Sequence, residues 1–254
     1  MFEAKINFLT LGKKIFCKKL SIQFQPGDFC CLMGMNGSGK TTLLHTLAGL
    51  RQAETGSILL NQKPLNQYGE KERAKQIGLL LQDQITPFSN TVYDGLLAAR
   101  FPHRDSTLNN SHIQKALHTM GLIDLKNRLI SELSGGEQQR LHIAMLLTQN
   151  PQIYILDEPT NHLDLRYQIK TLQLLKNLSK QENKIIIAVI HDINLVSQFA
   201  DQVCFLYEDG STEFGLTKEL FHEDKLGLLY NQPIKKISSI DGNHFWFAYT
   251  QSGE

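Results

Sequence analysis

Short, unbroken apolar runs punctuate the chain. They fall at Asp28–Met33, Gly78–Leu81, Ile153–Leu156, Lys184–Ile190 and Val203–Tyr207. Runs of that length without polar alternation suit strands covered on both faces of a parallel sheet. Between them the spacing turns helical: Leu165, Ile169, Leu172, Leu175 and Leu178 share one face, and Leu43–Leu50 and Asp192–Ala200 have helical composition. The start differs, with two strands expected near Ala4–Leu9 and Leu20–Phe24 before Pro26 and Gly27 turn the chain. Thr55 and Gly56 precede another strand at Ser57–Leu60, and the charged stretch 70–76 reads as a helix.

From about residue 86 to 150 no strand pattern is visible. Thr91 is placed to cap a helix through Arg100. Ser111–Met120 and Leu122–Leu129 carry helical spacing, and Ser134, Gly135 and Gly136 open a helix from Glu137 to about Gln149. The pattern predicts a helical lobe inserted into a strand-and-helix lobe. Residues 216–254 form an appendix, with a helix near Lys218–Leu229 and a β-prone Phe245–Tyr249. There is no internal repeat and no low-complexity segment.

Composition narrows this little. A chain of 254 residues can bury a full α/β core. A net charge of +1 gives no sign of a nucleic-acid groove, so no nucleic-acid partner is expected. Mean hydropathy is −0.23, and no apolar run approaches the ~20 residues that cross a bilayer. Residues 1–20 carry lysines and lack the apolar centre of a signal peptide, which predicts a cytoplasmic chain. Cys17, Cys30, Cys31 and Cys204 show no C-x-x-C spacing and read as buried free thiols.

The chemistry is concentrated at Gly34–Thr42, which fits G-x-x-x-x-G-K-[ST] with Gly34, Gly39, Lys40 and Thr41 at the fixed places. Glycines let successive N–H groups face one anion, and the following helix adds its positive end. Asn36, Gly37 and Ser38 belong to that cradle; Lys40 supplies a mobile charge for phosphates, and Thr41, with Thr42 behind it, offers a hydroxyl to Mg²⁺. A plain glycine turn would leave Lys40 merely solvated, but it would not need this apolar run before and helix after. Further on, Ile153–Leu156 delivers Asp157 and Glu158 to the carboxyl end of a strand, where ligands bind in open α/β sheets. Asp157 suits the Mg²⁺ shell and Glu158 can take a proton from an attacking water. Ser134, Gly135, Gly136 and Glu137 make a second anion-ready helix start, or a capping box, or both.

Gly34–Thr42, Leu133–Gln138 and Asp157–Glu158, in this order, resemble the nucleotide-binding subunit of ABC transporters over nearly the whole chain. The resemblance implies an α/β P-loop NTPase (RecA-like) core with an inserted helical subdomain and an N-terminal antiparallel β region. On that reading 1–254 is one ATP-binding domain: core 1–85 and 151–215, helical subdomain 86–150, appendix 216–254. It further implies that Gln82 touches Mg²⁺ and the attacking water, that His191 contacts the γ-phosphate, and that Asn161–Asp164 crosses a dimer interface. Two copies would pair head to tail, so that Ser134 and Gly136 of one meet the ATP held by Lys40 of the other. Two integral-membrane permease subunits, and indirectly a substrate-binding protein, would complete the system at the cytoplasmic face of the membrane.

The family's adenine-stacking aromatic falls near Leu11, which has no ring, leaving Phe8, Phe16 or an apolar contact to serve. Thr91–Asp94, Ala99–His103, Ala188–Leu195 and Phe199–Asp201 are similar to importers for iron–siderophore, haem and cobalamin. Asp157–Asp164 also resembles ABC proteins that act on ribosomes, although those carry two ATPase domains and a basic linker. An exporter or lipid-transport ATPase would share every catalytic motif. His103–Asp105 formally matches a kinase catalytic loop, without the glycine loop or D-F-G that a kinase needs.

Overall fold

A six-stranded, mostly parallel sheet forms the middle of the molecule. The structure, a computed structural model, describes residues 1–11, 14–81, 90–103, 109–238 and 244–249. In chain order, β1 (Phe2–Leu11) and β2 (Lys14–Phe24) precede β3 (Phe29–Met33), which runs into α1 (Lys40–Leu47). Next come β4 (Thr55–Leu60), β5 (Lys63–Pro64), α2 (Glu70–Gln76) and β6 (Ile77–Leu80). Helices α3 (Val92–Ala99), α4 (Asn109–Met120) and α5 (Gly135–Gln149) follow, and then β7 (Ile153–Asp157), α6 (Leu165–Glu182), β8 (Ile185–Val189), α7 (Ile193–Phe199) and β9 (Gln202–Leu206). The chain finishes with β10 (Thr212–Leu216), α8 (Thr217–Leu220), α9 (Glu223–Tyr230), β11 (Ile234–Ser238) and β12 (His244–Ala248).

The central order is β10-β9-β3-β8-β7-β6, parallel except where β10 pairs antiparallel with β9. The apolar runs are explained by this: β3, β7 and β8 are buried along their whole length. Alternate residues serve opposite faces. Cys31 and Met33 pack with α6 and α7, whereas Cys30 and Leu32 pack toward α1 and the four-stranded antiparallel sheet β2-β1-β4-β5. A third core, built on Leu96, Leu117, Met120 and Leu141, holds α3, α4 and α5 together. The fold is thus the α/β P-loop architecture with an N-terminal antiparallel region and a helical insertion. The first two strands are longer than the sequence pattern suggests, because β1 and β2 pair over their full lengths.

Two expectations need correction. Leu122–Leu129 is not an α-helix but an open stretch with one 3-10 turn at Ile123–Leu125, and a second such turn follows it at Ile130–Glu132. Its carbonyls are used elsewhere: Arg128 and Lys126 accept from the first amides of α3, Val92 N at 3.0 Å and Tyr93 N at 2.9 Å. The helix expected at Lys218–Leu229 is broken in two, where Phe221 turns into the core against Phe205 and Trp246. Strands β10 and β11 carry too many polar positions to be read as strands in advance. Trp246 fixes the appendix to α7, exchanging backbone bonds with the Asn194 side chain at 2.8 and 3.0 Å.

Candidate functional site

Because β3, β8 and β7 are neighbours in the sheet, their carboxyl ends bring three loops together. From β3 comes the glycine loop. Gly39 has φ +94° and turns the chain into α1, whose first intrahelical bond is Leu43 N to Gly39 O at 2.9 Å. The amides of Lys40, Thr41 and Thr42 therefore form the open end of a helix. A side chain at Gly34 (φ +150°) would strike Leu206 O at 2.3 Å, so that position can only be glycine.

Lys40 is buried and its Nζ donates to the carbonyls of Gly34 and Met35 within the loop, both at 2.9 Å. Burial lowers its pKa below the ordinary lysine value, while Glu158 and Asp157 pull it back. Ser38 Oγ is buried in the same loop without a hydrogen-bond partner, while Asn36 and Gly37 are exposed at its tip. A buried cation, an orphaned hydroxyl and free helix amides form a cradle for an oxyanion.

From β7 come the carboxylates. Asp157 is buried and accepts from Thr41 Oγ1 at 2.7 Å. Burial pushes its carboxyl up; the Thr41 bond opposes this, Glu158 adds to the rise, and His45 and Lys40 counter it. These two hard oxygen donors fit Mg²⁺, which takes one or two protein oxygens and completes its shell with phosphate and water. Among the described residues no cluster of three His, Cys, Asp or Glu offers a full protein cage for a metal. Glu158, one residue on, has φ +51° and reaches across to the loop after β8, where His191 Nε2 meets its Oε1 at 2.6 Å. Its other oxygen, Oε2, accepts from Asn161 Nδ2. A cleft of about 230 Å³ opens here, lined by Glu158, Asn161, His162, His191 and Asp192.

Ser134, Gly135, Gly136 and Glu137 start α5. Ser134 N and Oγ both donate to Glu137 Oε2 at 2.8 Å, and Glu137 N returns a bond to Ser134 Oγ at 3.4 Å. These bonds from Ser134 hold the Glu137 carboxyl below its usual range. The turn is a capping box whose hydrogen bonds are local, and Ser134 and Gly135 are exposed. Asp164 caps α6 through Tyr167 N at 2.8 Å. Gln82 and the kinase-like Asp105 lie outside the described residues, as does the side chain of Leu11. The ring of Phe16 packs on the glycine loop, where a side chain at Gly39 would stand 2.5 Å from Phe16 Cβ; Phe8 is largely exposed.

Sequence reasoning passed over two contacts. Gln139, five residues after Ser134, donates to the carbonyls of Glu158 at 3.4 Å and Pro159 at 3.1 Å. Asn161 touches Glu158 rather than pointing only outward. The spacing of three between 158 and 161 signals that second contact once a tight turn is assumed there; the first has no local signal.

Comparison with known proteins agrees with this geometry. The profile of the ABC transporter family matches residues 17–161. The ferric enterobactin transport ATP-binding protein of Escherichia coli is 34% identical over 87% of this chain and 84% of its own. The hemin import ATP-binding protein of Rhodopseudomonas palustris is 29% identical over 96% of this chain and 92% of its own. Among solved structures, a dimeric ATP-binding cassette in a post-hydrolysis state with ADP and Pi superposes with a TM-score of 0.76 at 28% identity, covering 85% of this chain and 98% of that one.

Proposed function

Because the chain belongs to the ABC transporter family, we propose that it is the ATP-hydrolysing subunit of an importer for a metal-chelate compound such as an iron–siderophore, haem or cobalamin. One observation carries the chemistry: the Lys40 cradle, the Thr41–Asp157 pair and the Glu158–His191 pair meet at one end of the sheet. The siderophore- and haem-transport relatives support the cargo class. No helix among the described residues is long and apolar enough to cross a membrane. Two permease subunits on the cytoplasmic face would supply the path, and a binding protein the cargo.

The chain's own residues divide the work. Loop amides, Ser38 and Lys40 hold the β- and γ-phosphates and stabilise charge as it shifts to the leaving group. Thr41 and Asp157 would hold Mg²⁺, which would supply positive charge to offset that of the phosphates; Gln82 would join that shell. Glu158 accepts the proton of the attacking water, and His191 orients the carboxylate from the far side. Phe16, the ring beside the loop, takes the place of the aromatic missing at Leu11 and supports the base. A second copy, packed head to tail, brings its Ser134, Gly135, Gly136 and Glu137 to the γ-phosphate, with Asp164 in the shared interface.

The test is reconstitution. Copurified membrane subunits in vesicles should take up a ferric siderophore, haem or cobalamin when Mg-ATP is supplied, and Glu158→Gln should abolish uptake. Copurification with ribosomes, or ATP-driven efflux from the same vesicles, would replace the importer reading.

A further inference from the structure

Tyr154 brings a polar group into the core. Every side chain of β7 is buried, and alternate ones serve opposite faces; Tyr154 and Leu156 share the face covered by α6. Tyr154 is 1% exposed, yet its hydroxyl has no hydrogen-bond partner among the described residues. Burial, with the Glu182 carboxylate nearby, raises the phenol pKa, so at neutral pH the oxygen keeps its proton and can donate. A buried hydroxyl without a partner costs free energy and marks the place of a water or a ligand. Tyr154 lines a groove of about 140 Å³ between α4, the end of α5 and α6.

The groove follows the seam between the helical insertion and the central sheet. Leu147 and Leu174 pack against the cores on both sides of that seam, and with Ala116 and Leu178 they give the groove an apolar wall. Asn150, Asn177 and Gln181 add amides that both donate and accept. The titratable groups that line it leave little net charge. Lys115 Nζ of α4 meets Glu182 Oε1 of α6 at 3.4 Å. Burial, with the Arg100 and Lys115 charges, lowers the His112 pKa and keeps that imidazole neutral at pH 7. A dry cavity of about 150 Å³ takes one benzene-sized ring. We propose that this groove is a binding site for a small neutral ring compound with a hydrogen-bonding edge, of the size of benzamide. The ring lies on Leu147, Leu174 and Ala116, and its carbonyl oxygen accepts from the Tyr154 hydroxyl. None of the residues that line the groove belongs to the phosphate cradle or to the Glu158 cleft. A ligand seated there touches α4 and α6 at once and stabilises the folded chain by mass action.

Titration of the full chain with benzamide, read by saturation-transfer NMR and by thermal unfolding, tests the site. The wild type should bind at millimolar concentration and gain thermal stability as the site fills. Tyr154→Phe, which loses only the hydroxyl, should fold as stably as the wild type. It should bind benzamide about fivefold more weakly, the equivalent of one hydrogen bond, with its affinity for toluene unchanged. Ala116→Leu fills the space and should abolish binding of both rings. Wild-type crystals soaked in benzamide should place the carbonyl within hydrogen-bond distance of Tyr154 Oη. Water alone at that hydroxyl, binding at crystal concentration only, or a benzamide affinity that either variant leaves unaltered overturns the site. A strongly destabilised Tyr154→Phe chain overturns it too, because the hydroxyl would then already serve the unliganded fold. Should Ala116→Leu fail to fold by circular dichroism, Tyr154→Phe and the soaked crystal decide.

Discussion

Replacing His191 by alanine probes the Glu158 pair most sharply. His191 Nε2 lies 2.6 Å from Glu158 Oε1, and its side chain is 41% exposed against 16% for Glu158. A hydrogen bond to a charged partner nets about 1.5–3 kcal/mol. Water reaches the imidazole side, which places this one near the lower end, about 1.5–2 kcal/mol. If the bond acts in the transition state, that is a loss of about 10- to 30-fold in kcat. ATP affinity should change little, because the phosphate cradle is built from the Lys40 loop. His191→Gln, which keeps a donor, should recover part of the rate. The assay is phosphate release across ATP concentrations, paired with equilibrium binding of a fluorescent ATP analogue. A raised KM with unchanged kcat would mean that His191 serves ground-state binding, and a loss below about twofold would remove it from the chemistry.

Other outcomes follow from the same geometry. Trp246→Ala should destabilise the chain by about 3–5 kcal/mol in denaturant titration, since the buried ring packs on Phe221 and its Nε1 donates to Ser197 Oγ of α7 at 3.3 Å. Burial raises the Asp201 pKa, but hydrogen bonds and charge from Lys176 and Lys180 outweigh it and leave the carboxyl below its usual value. Its stabilisation is therefore complete above the unfolded pKa of about 3.9 and is lost as pH falls through the lower folded value. Asp201→Asn should flatten that part of an acid-denaturation curve, and an unaltered curve would exclude the ion pairs from the acid transition. The buried Cys17 thiol is pushed up to about 11 by burial, and Cys30, Cys31 and Cys204 are buried with it. A thiol reagent at neutral pH should modify none of the four in the native chain and all of them in guanidine.

Much of this was legible because its signals are local. The glycine loop, the apolar run into Asp157 and the Ser134 capping box each lie within about ten residues, and spacing alone specifies them. Parallel strands announced themselves because both faces are buried. What escaped depends on distant partners. Leu122–Leu129 has helical spacing, yet the α3 amides claim its carbonyls. Strand β10 forms only because β9 offers an edge, and Phe221 breaks a helix because Trp246 waits on the other side. In the site, no local spacing marks Gln139 as a partner of the Glu158 and Pro159 carbonyls. Its role appears only when the turn after β7 is folded beneath it.

The central claim is that one triphosphate is shared by two copies of this chain. A crystal structure of the Glu158→Gln variant with Mg-ATP tests it most directly. The γ-phosphate should lie between Lys40 of one copy and Ser134 of the second, with Thr41 and Asp157 at the metal. A nucleotide bound to Lys40 of a closed, ATP-loaded pair in which Ser134 of the second copy points elsewhere would contradict the account.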